Sequence, residues 1–325
     1  MSQLTQQIHS SEIGDILENS LNGIRPKKED YLRLLKSDDV YLMGLVAGNI
    51  TRKKFGKKVS FVNNIILNYT NVCITDCKFC AFYRPPNHEE AYTLTLDEIE
   101  ARVKTGWDMF KIRQVLIQGG HNPKLGIEYY EDSFKMIRSK FPDVGVHGLS
   151  TSEIDMIATV EKSSTKEVLS RLKDAGLQSV PGAGAEILTD SVKEIISPKK
   201  IDSDDWIRIM KESFELGLPA SATMMYGHVE TDNDIVEHYD KIAKLQKDLN
   251  GFMAFIPWSF EPNNTLMQKE GTVTTGAGGI QLLKMIAISR IIFDGLIDHI
   301  QSSWLTNGVG MAQLALQYGS DDFGG

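Results

Sequence analysis

Several features common in other proteins are scarce or missing in this sequence, and each absence excludes a class of protein. Only three cysteines occur in 325 residues, too few and an odd number for a disulfide-stabilised secreted protein. No apolar run approaches the roughly 20 residues of a membrane-spanning helix. The net charge of −8, from 35 basic and 43 acidic residues, disfavours a general nucleic-acid surface. The opening MSQLTQQIHS lacks the apolar segment of a signal peptide, so we expect a reducing, cytoplasmic location.

The pattern of apolar residues predicts two structural regions. Residues 1–57 show helical spacing, whereas from about Val59 onward short apolar runs alternate with longer amphipathic stretches, as in β–α units around a parallel sheet. We therefore predict an α/β fold in which a single TIM-type (β/α) barrel, residues 58–325, carries an N-terminal helical segment, residues 1–57. Seven strands are predicted, at Ile65–Tyr69, Gln114–Gln118, Val144–Gly148, Gln178–Val180, Ser221–Met225, Phe252–Ile256 and Ile300–Ser303.

Helix start and stop signals lie between these strands. The pairs Thr95/Glu98, Ser150/Glu153 and Ser164/Glu167 each match a capping box, in which the two side chains bond reciprocally to the first backbone amides of a helix. Gly176, after the run RLKDA, is a plausible helix C-terminal stop. The signals support a helix after most of the strands.

Polar and glycine-rich strings follow the predicted strands. They are CITDCKFC, QGGHNP, HGLS, PGAGAE, YGHVE, PWSF and WLTNG, in chain order. Because the active sites of β/α barrels lie on the loops at the C-terminal ends of the strands, we expect all these strings to face one pocket.

The three cysteines are concentrated in one of these loops. Cys73, Cys77 and Cys80 have the spacing C-x3-C-x2-C. Thiolates are soft ligands that hold iron–sulfur clusters, and three of them fill three corners of such a cluster while the fourth stays open for a ligand. The alternative is a zinc site completed by His88 or His121, in a protein that binds metal without catalysis.

This cysteine loop, with Phe79 just before its last cysteine, resembles the radical S-adenosylmethionine (SAM) superfamily. The resemblance implies a 4Fe–4S cluster on the three cysteines, with SAM bound at the open iron. It also implies that an electron cleaves SAM to methionine and a 5′-deoxyadenosyl radical, which takes a hydrogen atom from the substrate. An electron donor such as flavodoxin or ferredoxin is implied as a partner.

The same resemblance assigns further cofactor-binding residues. Gly119 and Gly120 occupy the place of the family's glycine motif, which exposes its backbone to the SAM amino group. Glu186 is a candidate for the SAM amino group or ribose, and Lys200 for the SAM carboxylate. Ser150 and Phe79 complete the set of cofactor-binding candidates. The alternatives are a simple turn for the glycines, a helix N-terminal acid for Glu186 and a surface lysine for Lys200.

Longer strings narrow the resemblance. NYTNVC, CKFCAFYRPP, PGAGAEIL, TMMYGHVET, GFMAFIPWSFEPNNT, SSWLTNG and LALQYGSDDFGG are similar to the cyclic dehypoxanthine futalosine synthase family of menaquinone synthesis. Two related families, aminofutalosine synthase and the enzyme that builds the deazaflavin precursor, share much of this pattern. The resemblance implies that dehypoxanthine futalosine is the substrate. A radical at C4′ of its ribose-derived portion would add to the benzoate ring, which then loses one electron and one proton.

The last proton requires a base, and the substrate requires binding groups. The candidate bases lie on predicted C-terminal loops, although a single histidine there is more often a structural hydrogen-bond partner. They are His121, His147, His228 and Glu230.

The aromatic candidates for substrate binding are Tyr226, Trp258 and Trp304, each of which is equally plausible as a core residue. The candidates for the substrate carboxylate are Arg84, Arg290 and the amides of Asn307 and Gly308. The segment Ser259–Gly279 is either a lid or a surface loop.

Overall fold

The structure is a computed structural model that describes residues 3–325. Fourteen helices and six strands occur in this part of the chain. The strands are β1 Asn64–Asn68, β2 Gln114–Gln118, β3 Gly145–Gly148, β4 Ala220–Tyr226, β5 Phe252–Ser259 and β6 His299–Ile300. The helices are α1 Gln3–Ser10, α2 Gly14–Leu21, α3 Lys28–Lys36, α4 Val40–Phe55, α5 Leu96–Phe110, α6 Ile127–Lys140, α7 Thr151–Glu161, α8 Thr165–Ala175, α9 Asp190–Ile196, α10 Ser203–Glu215, α11 Asp232–Leu249, α12 Leu266–Lys269, α13 Gly279–Phe293 and α14 Trp304–Ala315.

The strands form two parallel sheets of three strands each, in the orders β1-β2-β3 and β4-β5-β6. Ile66 pairs with Leu116, which in turn pairs with His147, so the first sheet is in continuous register. Strand β4 is buried along almost its whole length, as expected for a strand with helices or other strands on both faces. The predicted α/β class and parallel strands are therefore confirmed.

The predicted closed barrel is not confirmed. In place of the predicted strand Gln178–Val180, two isolated bridges join the sheets, from His147 to Ser179 and from Val180 to Ala220. On the other side, Asp322 bridges to both Ser60 and Gln301. These segments are too short to form regular ladders, so residues 3–325 contain two linked sheets and no closed barrel.

Four helices precede β1, in the segment predicted to be helical. Residues 1 and 2 of that segment lie outside the described part of the chain. Within this segment α3 and α4 are separate helices, because Ser37 takes an extended conformation and its hydroxyl accepts a hydrogen bond from the amide of Asp39. Helix α4 packs against α13, whose residues are buried from Leu282 to Phe293, apart from Lys284.

The helix signals are largely present in the structure. Thr95 and Ser150 form complete capping boxes at α5 and α7, and α8 ends where Gly176 adopts a φ of 120°. At α8 only half of the predicted box forms: Ser164 accepts from the amide of Glu167, whose carboxylate instead accepts from the hydroxyl of Ser163. Within residues 3–325, no helix combines the length and apolar character that a bilayer crossing requires.

A buried ion pair ties the C-terminal residues to the second sheet. The guanidinium of Arg290 in α13 donates to the carboxylate of Asp321, and it also donates to the carbonyl oxygens of Gly319 and Asp298, both at 2.8 Å. Asp321 further accepts from the amide of Ile300 at 2.9 Å. Both charged side chains are almost fully buried, so the Arg290 cation depends on Asp321 for its charge compensation, while the other oxygen of Asp321 is bonded to Nδ1 of His299 at 2.6 Å.

We expect Asp321→Asn to destabilise the protein by about 3–5 kcal/mol, because it leaves the buried Arg290 cation without an anion. Urea unfolding measures the change as a lower midpoint with an unchanged slope. Glu215→Gln, which breaks an exposed pair with Lys166, is the control and should leave the midpoint almost unchanged. Equal midpoints for the two variants would contradict the role of the Arg290–Asp321 pair.

Candidate functional site

The cysteine loop is held by backbone hydrogen bonds to the segment that follows it and to two distant helices. Cys73 N–H donates to the carbonyl of Arg84 at 2.9 Å, and Lys78 N–H donates to that of Ile196 at 2.8 Å. The carbonyl of Lys78 accepts from Met267 N–H at 3.1 Å. Cys73 and Cys77 are buried and Cys80 is half-buried, and all three are free thiols. A loop without regular structure is thereby fixed in one conformation.

A cavity of about 420 Å³ opens beside this loop. It lies where the first strands end, at the positions that the sequence predicted for a shared pocket. Of the candidates named from the sequence, it is lined by Cys73, Cys77, Cys80, Phe79, Gly119, Gly120, His121, Ser150, Glu186, Lys200 and Trp258. The three cysteines and all the predicted cofactor-binding residues therefore lie in one cavity.

The Gly119–Gly120 turn is packed tightly against the cysteine loop. A Cβ atom on Gly120 would lie 2.2 Å from the carbonyl oxygen of Val72 and 3.0 Å from Cβ of Cys73. Only glycine allows so close an approach of the two loops. The turn thus helps to set the position of the first cysteine.

Glu153 connects this turn to α7. One carboxylate oxygen accepts from Gly119 N–H at 2.9 Å and from the Tyr69 hydroxyl at 2.8 Å, and the other accepts from the amide and the hydroxyl of Ser150, both at 2.7 Å. Burial raises the pKa of Glu153, and these four hydrogen bonds oppose that shift. The capping-box partner therefore also points into the cavity and positions the glycine turn.

An ion pair crosses the floor of the cavity. Nζ of Lys200 donates to Oε1 of Glu186 at 3.0 Å and lies 5.4 Å from the centre of the Phe79 ring. Burial alone would raise the pKa of Glu186, but Lys200 and Lys193 outweigh it and hold that pKa below its usual value. Burial disfavours the charged form of Lys200, yet Glu186 and Cys77 raise its pKa. The pair is therefore ionised at neutral pH.

The donor set fits an iron–sulfur cluster. Three thiols share one cavity, and the sequence has no fourth cysteine. A single zinc ion needs its ligands about 2.0–2.3 Å from one point, and no three His, Cys, Asp or Glu side chains in residues 3–325 meet in that way. A cluster spreads its ligands over several irons and does not need such convergence. Burial raises the pKa of the Cys77 thiol to about 11, so its thiolate forms when metal replaces the proton.

Among the candidate bases, only His121 lines the cavity, and burial lowers its pKa to about 3, so the ring is neutral. His147 bonds through Nδ1 to the hydroxyl of Ser179 at 2.7 Å, and burial lowers its pKa to about 4. His228 and Glu230 form a pair with buried side chains, 3.1 Å apart, within the loop after β4. The structure does not bring His147, His228 or Glu230 to the cavity wall.

The other candidates for substrate binding lie outside this cavity, and only Arg84 lies in a pocket next to it. Arg84 pairs with Glu90 at 2.6 Å and lines a neighbouring pocket of about 560 Å³, which shares Cys80 and Tyr83 with the cavity. Tyr226 is fully buried, and Trp304 begins α14; neither lines the cavity.

Two further candidates for the substrate carboxylate have other partners. Arg290 is fully engaged with Asp321 and two carbonyls, so it is not available to a ligand. The backbone amides of Asn307 and Gly308 belong to α14, which is kinked at Gly308, and neither residue lines the cavity; the Asn307 side chain accepts from the hydroxyl of Ser259 at 3.1 Å.

Several cavity residues were not recognised from the sequence. The hydroxyl of Thr75 lies 2.9 Å from Sγ of Cys73, and its position inside the cysteine loop was an available signal. Gly184 belongs to the PGAGAE string and adopts a φ of 90°, a conformation that glycine reaches without strain. The remaining residues that line the cavity are Asn68, Phe82, Tyr83, Gln118 and Ala183.

Comparison with known families agrees with this geometry. The family model described as the radical SAM superfamily matches residues 67–242, and that of the CofH/MqnC C-terminal region matches residues 249–325. The chain therefore belongs to the radical SAM superfamily, whose members are enzymes that bind a 4Fe–4S cluster and SAM. Within it, the chain has the C-terminal region of the CofH/MqnC group, and it acts on a small molecule. The predicted superfamily and both cofactors are confirmed.

Two relatives bear different names. The chain is 40% identical to the cyclic dehypoxanthine futalosine synthase of Halalkalibacterium halodurans over 313 residues, which cover 96% of this chain and 83% of that one. It is 39% identical to the 5-amino-6-(D-ribitylamino)uracil–L-tyrosine 4-hydroxyphenyl transferase of Methanocaldococcus jannaschii over 302 residues, 92% of this chain and 84% of that one. The two identities are too close to separate the activities.

Solved structures share the fold. The crystal structure of methylornithine synthase matches with a TM-score of 0.73 at 16% identity, over 95% of this chain and 85% of that one. The FeFe-hydrogenase maturase HydG from Carboxydothermus hydrogenoformans matches with a TM-score of 0.70 at 14% identity, over 99% of this chain and 74% of that one.

We expect Gly120→Ala to lower the iron content after anaerobic reconstitution to less than about half that of the unchanged protein, because the new Cβ pushes the loop of Cys73 away. Iron and sulfide analysis and the cluster absorbance measure the loss. Gly310→Ala, at an exposed helical site with no atom within 4 Å of the new Cβ, is the matched control. Full iron content in Gly120→Ala would show that the turn does not position Cys73.

Proposed function

We propose that this enzyme is a radical SAM cyclase that converts dehypoxanthine futalosine to cyclic dehypoxanthine futalosine in menaquinone synthesis. The proposal is supported by the sequence strings that are similar to the cyclase family and by a single cavity that joins the cysteine loop to the predicted SAM-binding residues, and the 40% identity to a cyclase over 96% of the chain is compatible with it. A reduced cluster requires a reducing setting, so we keep the cytoplasm as the proposed location and a flavodoxin or ferredoxin as the proposed electron donor.

When bound, the cluster and SAM supply hydrogen-atom abstraction at C4′ of the ribose-derived portion of the substrate. Cys73, Cys77 and Cys80 would hold the cluster, with the backbone of Gly119–Gly120 and the Glu186–Lys200 pair around SAM. The buried walls exclude water and hold the substrate carbon close to its target, which favours ring closure over side reactions.

The substrate would extend from this cavity toward the neighbouring pocket. Trp258 offers an aromatic surface for the benzoate ring, since it is half-buried and lines the cavity. Arg84 remains the proposed partner of the substrate carboxylate, because it lines the pocket that meets the cavity at Cys80 and Tyr83 and its Nη2 group has no hydrogen-bond acceptor within residues 3–325, whereas Nε is bonded to Glu90.

His121 is the proposed acceptor of the proton that the benzoate ring loses. It is the candidate base on the cavity wall, and burial keeps its ring unprotonated at neutral pH, so that one ring nitrogen has a lone pair for the proton. The electron lost in the same step would pass to the iron–sulfur cluster that Cys73, Cys77 and Cys80 would hold, since that cluster has given up one electron in the cleavage of SAM.

The second candidate function is transfer of the 4-hydroxyphenyl group of tyrosine, because the archaeal relative at 39% identity has that name. It also corresponds to the deazaflavin-precursor alternative that the sequence strings left open. Aminofutalosine synthase, the other alternative, acts on an enolpyruvyl benzoate. The three activities consume different substrates and are separated by product mass.

We expect anaerobically reconstituted protein with SAM, dithionite and dehypoxanthine futalosine to form 5′-deoxyadenosine and a product two hydrogens lighter than the substrate. Mass spectrometry measures both compounds. Cys77→Ala should form neither, because the cluster loses one of its three ligands. A product from 5-amino-6-(D-ribitylamino)uracil and tyrosine, with none from dehypoxanthine futalosine, would replace the cyclase by the transferase.

For His121→Gln we expect the rate of cyclic product formation to fall by about a hundredfold, since a positioned base contributes at least that factor. Formation of 5′-deoxyadenosine should persist, because hydrogen abstraction precedes proton loss. His9→Gln, on the exposed side of α1, is the control. An unchanged ratio of product to 5′-deoxyadenosine would assign the proton to another group.

A further inference from the structure

The turn that carries Glu186 is held in a strained conformation. Gly184 has φ of 90° and Glu186 has φ of 41°. A non-glycine residue at positive φ is uncommon and persists only where the surrounding structure holds it, which is frequent at ligand sites. One of those contacts is the hydrogen bond from Met225 N–H to the carbonyl of Glu186, at 2.9 Å. The backbone of the turn therefore directs this carboxylate toward the cavity.

The two oxygens of the Glu186 carboxylate differ in their surroundings. Oε1 accepts from Lys200, whereas Oε2 is buried and has no hydrogen-bond partner within residues 3–325. A buried acceptor without a donor is costly, and an ionised one more so. Because Glu186 is 5% exposed and lines the cavity, Oε2 is suited to an N–H or O–H donor of a bound ligand.

Lys193 lies on the other side of this turn. Its side chain projects from α9 and is 5% exposed. Nζ donates to the carbonyl of Gly184 at 2.8 Å and lies 3.9 Å from Oε2 of Glu186, close enough for an ion pair but outside hydrogen-bond range. The buried ammonium group of Lys193 therefore lies next to both the Gly184–Glu186 turn and Oε2 of Glu186.

We infer that Lys193 is a positioning residue for SAM: its ammonium group fixes the Gly184–Glu186 turn and holds the Glu186 carboxylate in place, with Oε2 free for a donor of the cofactor. The donor is the SAM ammonium group or a ribose hydroxyl. This inference rests on the proposed role of Glu186 toward SAM, and it adds a residue that does not itself line the cavity.

The charge of Lys193 is needed because burial opposes ionisation of Glu186. Two lysines surround the one carboxylate, and together they hold its pKa below the usual value. If Glu186 were protonated at Oε2, that oxygen would present a hydrogen to the ligand instead of a lone pair. The neutral group would also no longer attract a cationic ammonium group. Removing one lysine therefore weakens cofactor binding through Glu186 and not through contact with the cofactor.

The test measures the Kd of SAM by calorimetry on unreduced, reconstituted protein, so that no turnover is required. We expect Lys193→Met to raise the Kd by about tenfold, and to raise KM for SAM more than it lowers kcat. Lys193→Gln keeps an N–H donor for the Gly184 carbonyl without the charge, and it should raise the Kd nearly as much. Lys173→Met is the matched control, since Lys173 also donates to a backbone carbonyl, that of Leu216, on the exposed surface of α8.

A double-mutant cycle with Glu186→Ala distinguishes positioning from general support of the fold. If Lys193 acts through Glu186, Lys193→Met adds little to the Kd once Glu186 is alanine. Additive effects, or an unchanged Kd in Lys193→Met, would overturn the inference. Thermal unfolding accompanies each variant, and loss of the fold in both Lys193→Met and Lys193→Gln would also overturn it. Failure of the cyclase proposal is separate, because it appears as SAM binding without cyclic product.

Discussion

The site depends on the anchoring of the cysteine loop to the segment that follows it and to two remote parts of the chain. Residues 73–80 form no helix or strand, so their own backbone cannot fix the three sulfurs. The constraint comes instead from hydrogen bonds to Arg84, to Ile196 at the end of α9 and to Met267 in α12, with Gly120 packed against Cys73. Because α9 also carries Lys193, the same helix supports the cluster loop and the carboxylate that faces the cofactor.

Buried charge is the second requirement of this arrangement. Glu186, Lys193 and Lys200 lie within one buried group, and charges removed from water are tolerated only when they are paired. The group has one more positive than negative charge, which suits a cavity that receives an anionic cluster and the carboxylate of SAM. Burying these charges costs folding free energy, but it leaves the polar groups of the cavity in place before the ligands bind.

Much of the fold follows from local sequence, and the rest depends on tertiary contacts. The strands β1, β2 and β4 and the caps at Thr95 and Ser150 were predicted because apolar runs and capping residues act over a few positions. The barrel was not confirmed, since Gln178–Val180 makes only isolated bridges and its pairing depends on neighbours far away in sequence. Within the site, motifs identified the cavity-lining cysteines, glycines and Glu186. Sequence spacing did not predict that His228 pairs with Glu230 or that Lys193 is buried, because both depend on tertiary packing.

The pairing of Ser60 with Asp322 has a kinetic consequence. The Ser60 hydroxyl bonds to the Asp322 carboxylate at 2.6 Å across 262 positions of the chain, just before the strand that leads into the cysteine loop. Contacts between such distant residues form late in folding, because a long loop must close before they can add stability. A complete cluster site therefore exists only in a nearly folded chain. Binding of the cluster then stabilises the folded state, and a chain that has lost its cluster unfolds more easily.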